Sequence, residues 1–232
     1  MTSPEELEGD VVVGADGVHS LVRQTFWTDA GRPRRLGTTA LRGVVDACLS
    51  PDSMHEYWGD DLLVGVTPTP DGGTNWFATV PQEHFADRAA ALREVRRRAA
   101  HLPAIPRAAL EAAEPAQTLV NDLWESRWPR GLVRGRVALV GDSAHAMAPN
   151  LGRGACEAIV DAVALGSALR SGPIDAALRS YARARFVSPQ AIRIAARTAL
   201  RIATSRRARL PRTILRRSHP EAREMASPTK AA

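Results

Sequence analysis

A short apolar run, Arg136-Val137-Ala138-Leu139-Val140, breaks into Gly141-Asp142-Ser143-Ala144-His145. The chain then passes through Met147-Ala148-Pro149-Asn150-Leu151-Gly152-Arg153-Gly154 into an alanine-rich segment, Ala155 to Leu169. That order reads as a buried strand, a Gly-Asp turn, a Pro/Gly-rich loop and a helix. It calls for an α/β arrangement, with one carboxylate and one helix N-terminus at the edge of a sheet, where such folds hold cofactors. A second strand–turn–helix stands near the start. Asp10-Val11-Val12-Val13-Gly14-Ala15 reads as a buried strand, Asp16-Gly17 as a turn, and His19 to Phe26 as helical.

Between these blocks the texture changes. Residues 41–47, 62–66 and 75–80 look like strands, and Pro70-Asp71-Gly72-Gly73 is a turn between two of them. No helix-length pattern interrupts residues 27–82, so an antiparallel sheet is expected. Asp87 to His101 has helical periodicity, with Leu92, Val95 and Ala99 on one face, and Pro103 and Pro106 are expected to close it. Gly172-Pro173 stops the helix that starts near Gly154. Asp175 is a candidate cap for the next, Ala176 to Arg185, and a third helical stretch begins at Pro189 and ends by Pro211. A sheet begun early is therefore completed late, around a β-rich insertion.

With 232 residues the chain suits one large domain or two small ones, and 44% hydrophobic residues suffice for a core. No apolar run is long enough to span a membrane. The acidic start lacks the apolar region of a secretory signal. Cys48 and Cys156 stand too far apart in sequence to suggest a disulfide framework, and a cytoplasmic setting is expected. The net charge of +6 is unevenly placed. Residues 1–175 carry 17 basic and 23 acidic side chains, whereas residues 176–220 carry 12 arginines and no acid. Arg193, Arg197 and Arg201 recur every four residues and share a helix face. A solvated helix face and a basic tail explain them more simply than binding to nucleic acid or an anionic membrane surface does. No zinc-finger spacing or nucleic-acid motif is present, which argues against nucleic acid as a partner.

Asp142 at the end of a parallel strand could accept hydrogen bonds from adjacent hydroxyls, as on a sugar or polyol chain. It could equally be a turn aspartate. Pro149 restricts the following loop, while Gly152 and Gly154 permit close approach to a flat ligand. A helix beginning near Gly154 aims the N–H groups of Ala155 and Cys156 at whatever lies there and favours negative charge. The same glycines also suit a helix entry shaped by packing alone.

Together, GDSAHAMAPNLGRGACEAIVDAVALGSAL and the early DVVVGADGVHSLVR resemble the two later fingerprints of the FAD-dependent aromatic hydroxylases, the group of para-hydroxybenzoate hydroxylase. Arg42-Gly43-Val44 and Asn75-Trp76-Phe77-Ala78 resemble strands of that family's substrate sheet, and the likeness runs from about Gly9 to Arg185. It implies an FAD-dependent monooxygenase that uses NAD(P)H and O2 on a small organic substrate, with aromatic compounds among the candidates. Gly141 and Asp142 would meet the ribityl chain of FAD. Pro149, Gly152 and Gly154 would lie along the isoalloxazine ring, and the N–H groups of Ala155 and Cys156 would face its N1–C2=O edge. Asp16, Gly17 and Arg23 would hold the flavin-side architecture. His55, Tyr57, Trp58, Trp76 and Phe77 are candidate walls of a substrate pocket, though each suits a sheet core equally well. No catalytic acid or base and no metal ligand is assigned.

The resemblance has a gap. The family opens with a strand, a G-x-G-x-x-G turn and a helix, and the sequence contains no such turn. Gly152-Arg153-Gly154 has only the first two glycines. The expected fold is therefore α/β with an α+β insertion: an incomplete FAD-binding Rossmann-like domain (1–26 and 132–175), a β-rich substrate domain with an antiparallel sheet (27–131), Arg-rich C-terminal helices (176–217) and a disordered tail (218–232). Strands 10–15 and 136–141 would expose edges, and isolated FAD binding would be weak or nil. An N-terminal partner fragment or a homo-oligomer could complete the site. A non-catalytic remnant or pseudoenzyme stands as the alternative.

Overall fold

The computed structural model describes residues 8–82 and 84–205. The chain divides into two compact units, Met1–Thr38 with Asp122–Ile202, and Thr39–Asn121 with Ala203–Ala232. The divisions fall inside two strands, β2 (Arg34–Val45) and β6 (Leu119–Glu125), rather than near residues 26 and 131. The tail at 218–232 and the arginines from Arg206 onward lie outside the described residues.

The first unit holds a three-stranded sheet in the order β1–β8–β7, made from β1 (Val12–Gly14), β7 (Val133–Arg134) and β8 (Val137–Leu139). β1 and β8 run parallel, with Val12 opposite Val137 and Gly14 opposite Leu139. The early and late blocks are thus neighbours in one sheet, as a sheet begun early and completed late requires. β1 is not the buried strand its sequence suggests: Val12 and Val13 are exposed. Helices α1 (Leu21–Phe26), α4 (Asp142–His145), α5 (Gly154–Arg170), α6 (Ile174–Arg185) and α7 (Ser188–Ala203) complete this unit, α7 ending one residue beyond it. Its core gathers Trp27, Leu132, Leu139, Ala144, Leu165, Leu178 and Tyr181. The Tyr181 hydroxyl donates to the Leu139 carbonyl at 2.7 Å, which pins α6 to the sheet. Asp175 sits in the first turn of α6 rather than at its cap, which Pro173 occupies without a side-chain bond.

The second unit is built on antiparallel strands: β3 (His55–Trp58), β4 (Leu63–Pro68) and β5 (Thr74–Val80), with β2, in a sheet ordered β3–β4–β5–β2–β6. Leu41, Val45, Val64, Val66, Trp76, Ala78 and Val80 alternate onto one face. There they pack with Leu92, Val95 and Ala99 of α2 (Arg88–Ala99) and Ala109 and Leu110 of α3 (Ala104–Ala112). Asp87 caps α2 by accepting from the Ala90 N–H at 2.6 Å. Pro106 does not close a helix. It lies in the first turn of α3, where its missing N–H breaks no helical bond.

Strand register sorts the aromatic candidates. Tyr57 lies opposite Val64, His55 opposite Val66, and Val66 opposite Trp76, which puts all three on the core-facing side. Trp76 is fully buried there. Phe77 lies opposite both Gly65 and Arg42, on the other face, and Trp58 joins it through Leu63. A Cβ at Gly65 would stand 2.0 Å from the Phe77 ring, so this glycine is what lets the ring lie across the sheet.

Candidate functional site

The Gly141–His145 segment forms a tight, rigid corner after β8. Gly141 has φ +58°, a conformation that favours glycine, and an added Cβ would meet the Ala158 Cβ at 3.0 Å. Its N–H donates to Asp161 Oδ2 at 2.8 Å. Asp142 opens α4 and is exposed. Its backbone carbonyl accepts from Ser126 Oγ at 3.0 Å, while its carboxylate has no hydrogen-bond partner among the described residues. A solvent-facing acceptor is therefore mounted on a backbone that is held from behind.

The loop that follows makes a short 3-10 turn over Pro149–Leu151 and ends at Gly152, with φ +62°. Pro149 and Gly152 are exposed, and a Cβ at Gly152 or Gly154 would meet nothing within 4 Å. Both amide atoms of Asn150, Oδ1 and Nδ2, are buried without a hydrogen-bond partner. α5 starts at Gly154 after Arg153, with no side-chain cap, and its first bond runs from Glu157 N–H to the Arg153 carbonyl. The N–H groups of Gly154, Ala155 and Cys156 thus lack helical acceptors, as at any α-helix start. Ala155 and Cys156 are exposed. Donors, a carboxylate and open space over glycines lie together along one stretch of chain.

Residues that sequence reasoning missed hold this stretch in place. Asp161, fully buried, accepts from Gly141 N–H, from His145 Nε2 at 2.6 Å and from Arg185 Nε at 2.7 Å. Burial alone would raise its pKa. The bonds from His145, Arg185 and Gly141 outweigh that and hold it below the ordinary carboxylate value. Glu157, one turn earlier, pairs with Arg185 and Arg153, both at 2.6 Å. Burial opposes its ionisation too, and the two arginines again win. No local signal announces them: Glu157, Asp161 and Leu165 recur every four residues on the buried face of α5, whereas an amphipathic reading turns the carboxylates outward.

Asp16 and Arg23 brace the early strand–turn–helix block. Asp16 Oδ2 accepts from the N–H groups of Leu21 at 2.7 Å and Val22 at 3.1 Å, and Ser20 caps the same helix through Arg23 N–H. Gly17 has φ +79° and makes the turn possible. Arg23 is fully buried. Its guanidinium donates to the Gly31 carbonyl at 3.2 Å, Ser126 Oγ at 2.9 Å, the Ser143 carbonyl at 2.6 Å and the Val18 carbonyl. It ties the early block to the late one and is too enclosed to meet a ligand itself.

Of the α7 arginines, Arg201 is exposed, but Arg193 and Arg197 are not a solvated stripe. Arg193 and Arg197 both reach Glu125 Oε1, at 3.1 and 2.9 Å, and Arg34 pairs with the same buried carboxylate. Among the described residues no group of three His, Cys, Asp or Glu is placed to hold a metal, and no helix is long and apolar enough to cross a membrane. Cys48 and Cys156 are exposed and unbonded to each other.

The family model described as FAD binding domain matches residues 2–190. Aurachin C monooxygenase/isomerase of Stigmatella aurantiaca is 38% identical over 187 residues, which cover 78% of this chain and 48% of that protein. FAD-dependent urate hydroxylase of Klebsiella pneumoniae is 32% identical over 186 residues, with the same shares. Among solved structures, Klebsiella pneumoniae HpxO complexed with FAD and uric acid superposes with a TM-score of 0.79 at 31% identity, over 84% of this chain and 52% of that one. A salicylate hydroxylase substrate complex shares the fold, with a TM-score of 0.69 at 24% identity. The chain spans about half the length of the curated relatives it matches.

Proposed function

This chain belongs to the FAD binding domain family, and from that premise we propose that it is the flavin- and substrate-contacting part of an FAD-dependent monooxygenase. The carrying observation is Asp142, an exposed carboxylate without a protein partner, set on a fixed corner just before a helix start with unused N–H groups. The residues present suit the ribityl and ring portions of FAD, since the unpartnered Asn150 amide adds a donor and an acceptor to the same stretch. In this reading Gly141 and Asp142 receive the ribityl hydroxyls, and Pro149, Gly152 and Gly154 lie along the ring. The N–H groups of Ala155 and Cys156 face its N1–C2=O edge, where fixed donors favour the added negative charge of reduction. Asp16, Gly17 and Arg23 position these groups without touching the cofactor.

FAD held by these groups would supply the redox chemistry of a monooxygenation, with NAD(P)H as electron donor and O2 as the source of the transferred oxygen. The chain's own task is to orient the substrate and exclude water. A small aromatic or heteroaromatic compound is the proposed substrate, supported by relatives named for urate and aurachin C. Phe77 and Trp58, on the sheet face away from the core, are the aromatic residues suited to a pocket wall. The setting is cytoplasmic, in keeping with two exposed free cysteines. The rest of the flavin site comes from a further segment or from a second copy.

A non-catalytic remnant or pseudoenzyme is the alternative. A flavin titration followed by fluorescence quenching separates the two. The expected outcome is weak binding by the full chain, lowered about tenfold or more by Asp142→Asn, since a hydrogen bond to a charged group contributes ~1.5–3 kcal/mol. Equal binding by variant and parent would sink the flavin assignment.

A further inference from the structure

An open cleft of about 470 Å3 lies in the first unit, lined by Gln24, Thr28, Asp29, Gly31, Arg32 and Arg127. Small-molecule sites run from ~300 to ~1,000 Å3. Arg32 and Arg127 are exposed, and neither has a hydrogen-bond or ion-pair partner among the described residues. Asp29 is the one carboxylate of the lining, and it is already answered. Arg134 holds it at 2.8 Å and Arg130 reaches it at 3.6 Å. Arg134 also covers the Phe26 carbonyl at the end of α1, at 2.7 Å. Four arginines thus gather at a single carboxylate. Close to Arg127 on the chain, Glu125 is likewise shared by Arg34, Arg193 and Arg197.

The walls of the cleft are fixed from inside by Arg23. Its guanidinium donates to the Gly31 carbonyl at 3.2 Å and to Ser126 Oγ at 2.9 Å. One buried cation therefore ties together the two segments that carry Arg32 and Arg127. All its hydrogen-bond acceptors are neutral, so no contacting carboxylate cancels its charge. Burial pushes its pKa down, and Asp16 supports the charge against this. Gly31 packs closely, since a Cβ there would stand 3.2 Å from Gln24 Cα. Gln24 Nε2 donates to the His19 and Ser20 carbonyls at 2.8 and 3.1 Å, which leaves Oε1 as an acceptor. The Thr28 hydroxyl has no partner among the described residues.

We propose that this cleft binds a phosphorylated sugar or polyol, with Arg32 and Arg127 on the phosphate and Gln24 Oε1, the Thr28 hydroxyl and Asp29 on the hydroxyls. Planar guanidinium forks match phosphate oxygens, and a cleft with excess positive charge concentrates such an anion. A neutral sugar would leave the two arginines unanswered. Bare phosphate would leave the acceptors beside them unused and much of the volume empty. No aromatic ring lines the cleft for a base to stack on, which favours a free sugar phosphate over the same group carried by a nucleotide. None of the six lining residues has a part in the flavin reading, so the two stand or fall separately.

The test is calorimetric titration of the full 232-residue chain, at low ionic strength, with ribose 5-phosphate, ribose, inorganic phosphate and AMP. Ribose 5-phosphate should bind about tenfold or more tighter than ribose or inorganic phosphate, and added salt should weaken it. Arg32→Gln with Arg127→Gln should weaken it about tenfold or more. Because neither arginine bonds to the protein, the melting temperature of the unliganded variant should match the parent. Thr28→Val should lower affinity for ribose 5-phosphate and leave that for inorganic phosphate unchanged. Arg170→Gln, at an exposed arginine outside the cleft, should change neither. No binding at millimolar ribose 5-phosphate, undiminished binding by the double variant, or inorganic phosphate binding as tightly would each overturn the proposal. Tighter binding of AMP that the double variant loses keeps the site and makes a nucleotide the source of the sugar phosphate.

Discussion

Glu125→Gln removes one charge that three arginines share. The Glu125 carboxylate is fully buried, and its partners differ in how much they depend on it. Arg34 is 41% exposed at the side chain and rehydrates easily, so its share is small. Arg197 is intermediate. Arg193 is 7% exposed and has only neutral acceptors besides, Gln190 Oε1 at 2.8 Å and the Ser126 carbonyl at 3.3 Å. Burial already pushes its pKa down, and Glu125 is the favourable charge that opposes this. Stranding a buried charge costs about 3–5 kcal/mol, and the two neutral acceptors place this case near ~3 kcal/mol. With a urea m-value of roughly 2 kcal/mol/M, the unfolding midpoint should fall by about 1.5 M. Tryptophan fluorescence reports it, since Trp124 and Trp128 flank the site on the chain. The double variant Glu125→Met/Arg193→Met should recover much of the loss, because replacing both members of a buried pair by apolar groups is close to neutral. A single-variant midpoint within about 0.3 M of the parent would show that the cluster is effectively solvated and that the buried-charge reasoning is wrong.

Two further outcomes are expected. The Glu94 pKa is lowered to about 2, first by the hydrogen bond from Arg97; burial opposes this, and the hydrogen bond and charge of Arg98 lower it further. Its stabilisation is therefore present above the ordinary 4.5 and lost as pH falls toward about 2; Glu157 and Asp161, also depressed, act in the same direction. The melting temperature should decline through that window, and a flat profile between pH 4.5 and 2 would contradict it. Gly65→Ala should destabilise by ~1–3 kcal/mol because its Cβ would fall 2.0 Å from the Phe77 ring, and adding Phe77→Leu should restore part of the loss. Chemical denaturation of the three proteins is the measurement.

The sequence was legible where local chemistry forces local structure. Gly141 and Gly17 have no side chain to resist positive φ, Asp87 and Ser20 cap helices, and Pro70–Gly73 lies at the turn between β4 and β5. Legibility failed where partners are remote. Nothing near Glu125 announces arginines 68 and 72 residues later, and nothing near Arg23 announces Ser126 or Ser143. β6 escaped notice because Asn121, Asp122 and Glu125 lack β-propensity, and a strand bearing them is stabilised by tertiary ion pairs instead. For the same reason the site could be placed at Asp142, but the Asp161–His145–Arg185 cluster that holds it could not.

The buried guanidinium of Arg23 also sets an order of events during synthesis. α1 leaves the ribosome early, yet the Ser126 hydroxyl and the Ser143 carbonyl that receive its charge are made 103 and 120 residues later. At about 5–20 residues per second that interval is roughly 5–25 s. Residues 39–121 are complete before it ends and hold a core of their own. The inserted unit is thus positioned to fold first, while the Arg23 guanidinium stays hydrated until its acceptors are made. Closure through Arg23 is a long-range step that waits on residues made 103 and 120 positions later.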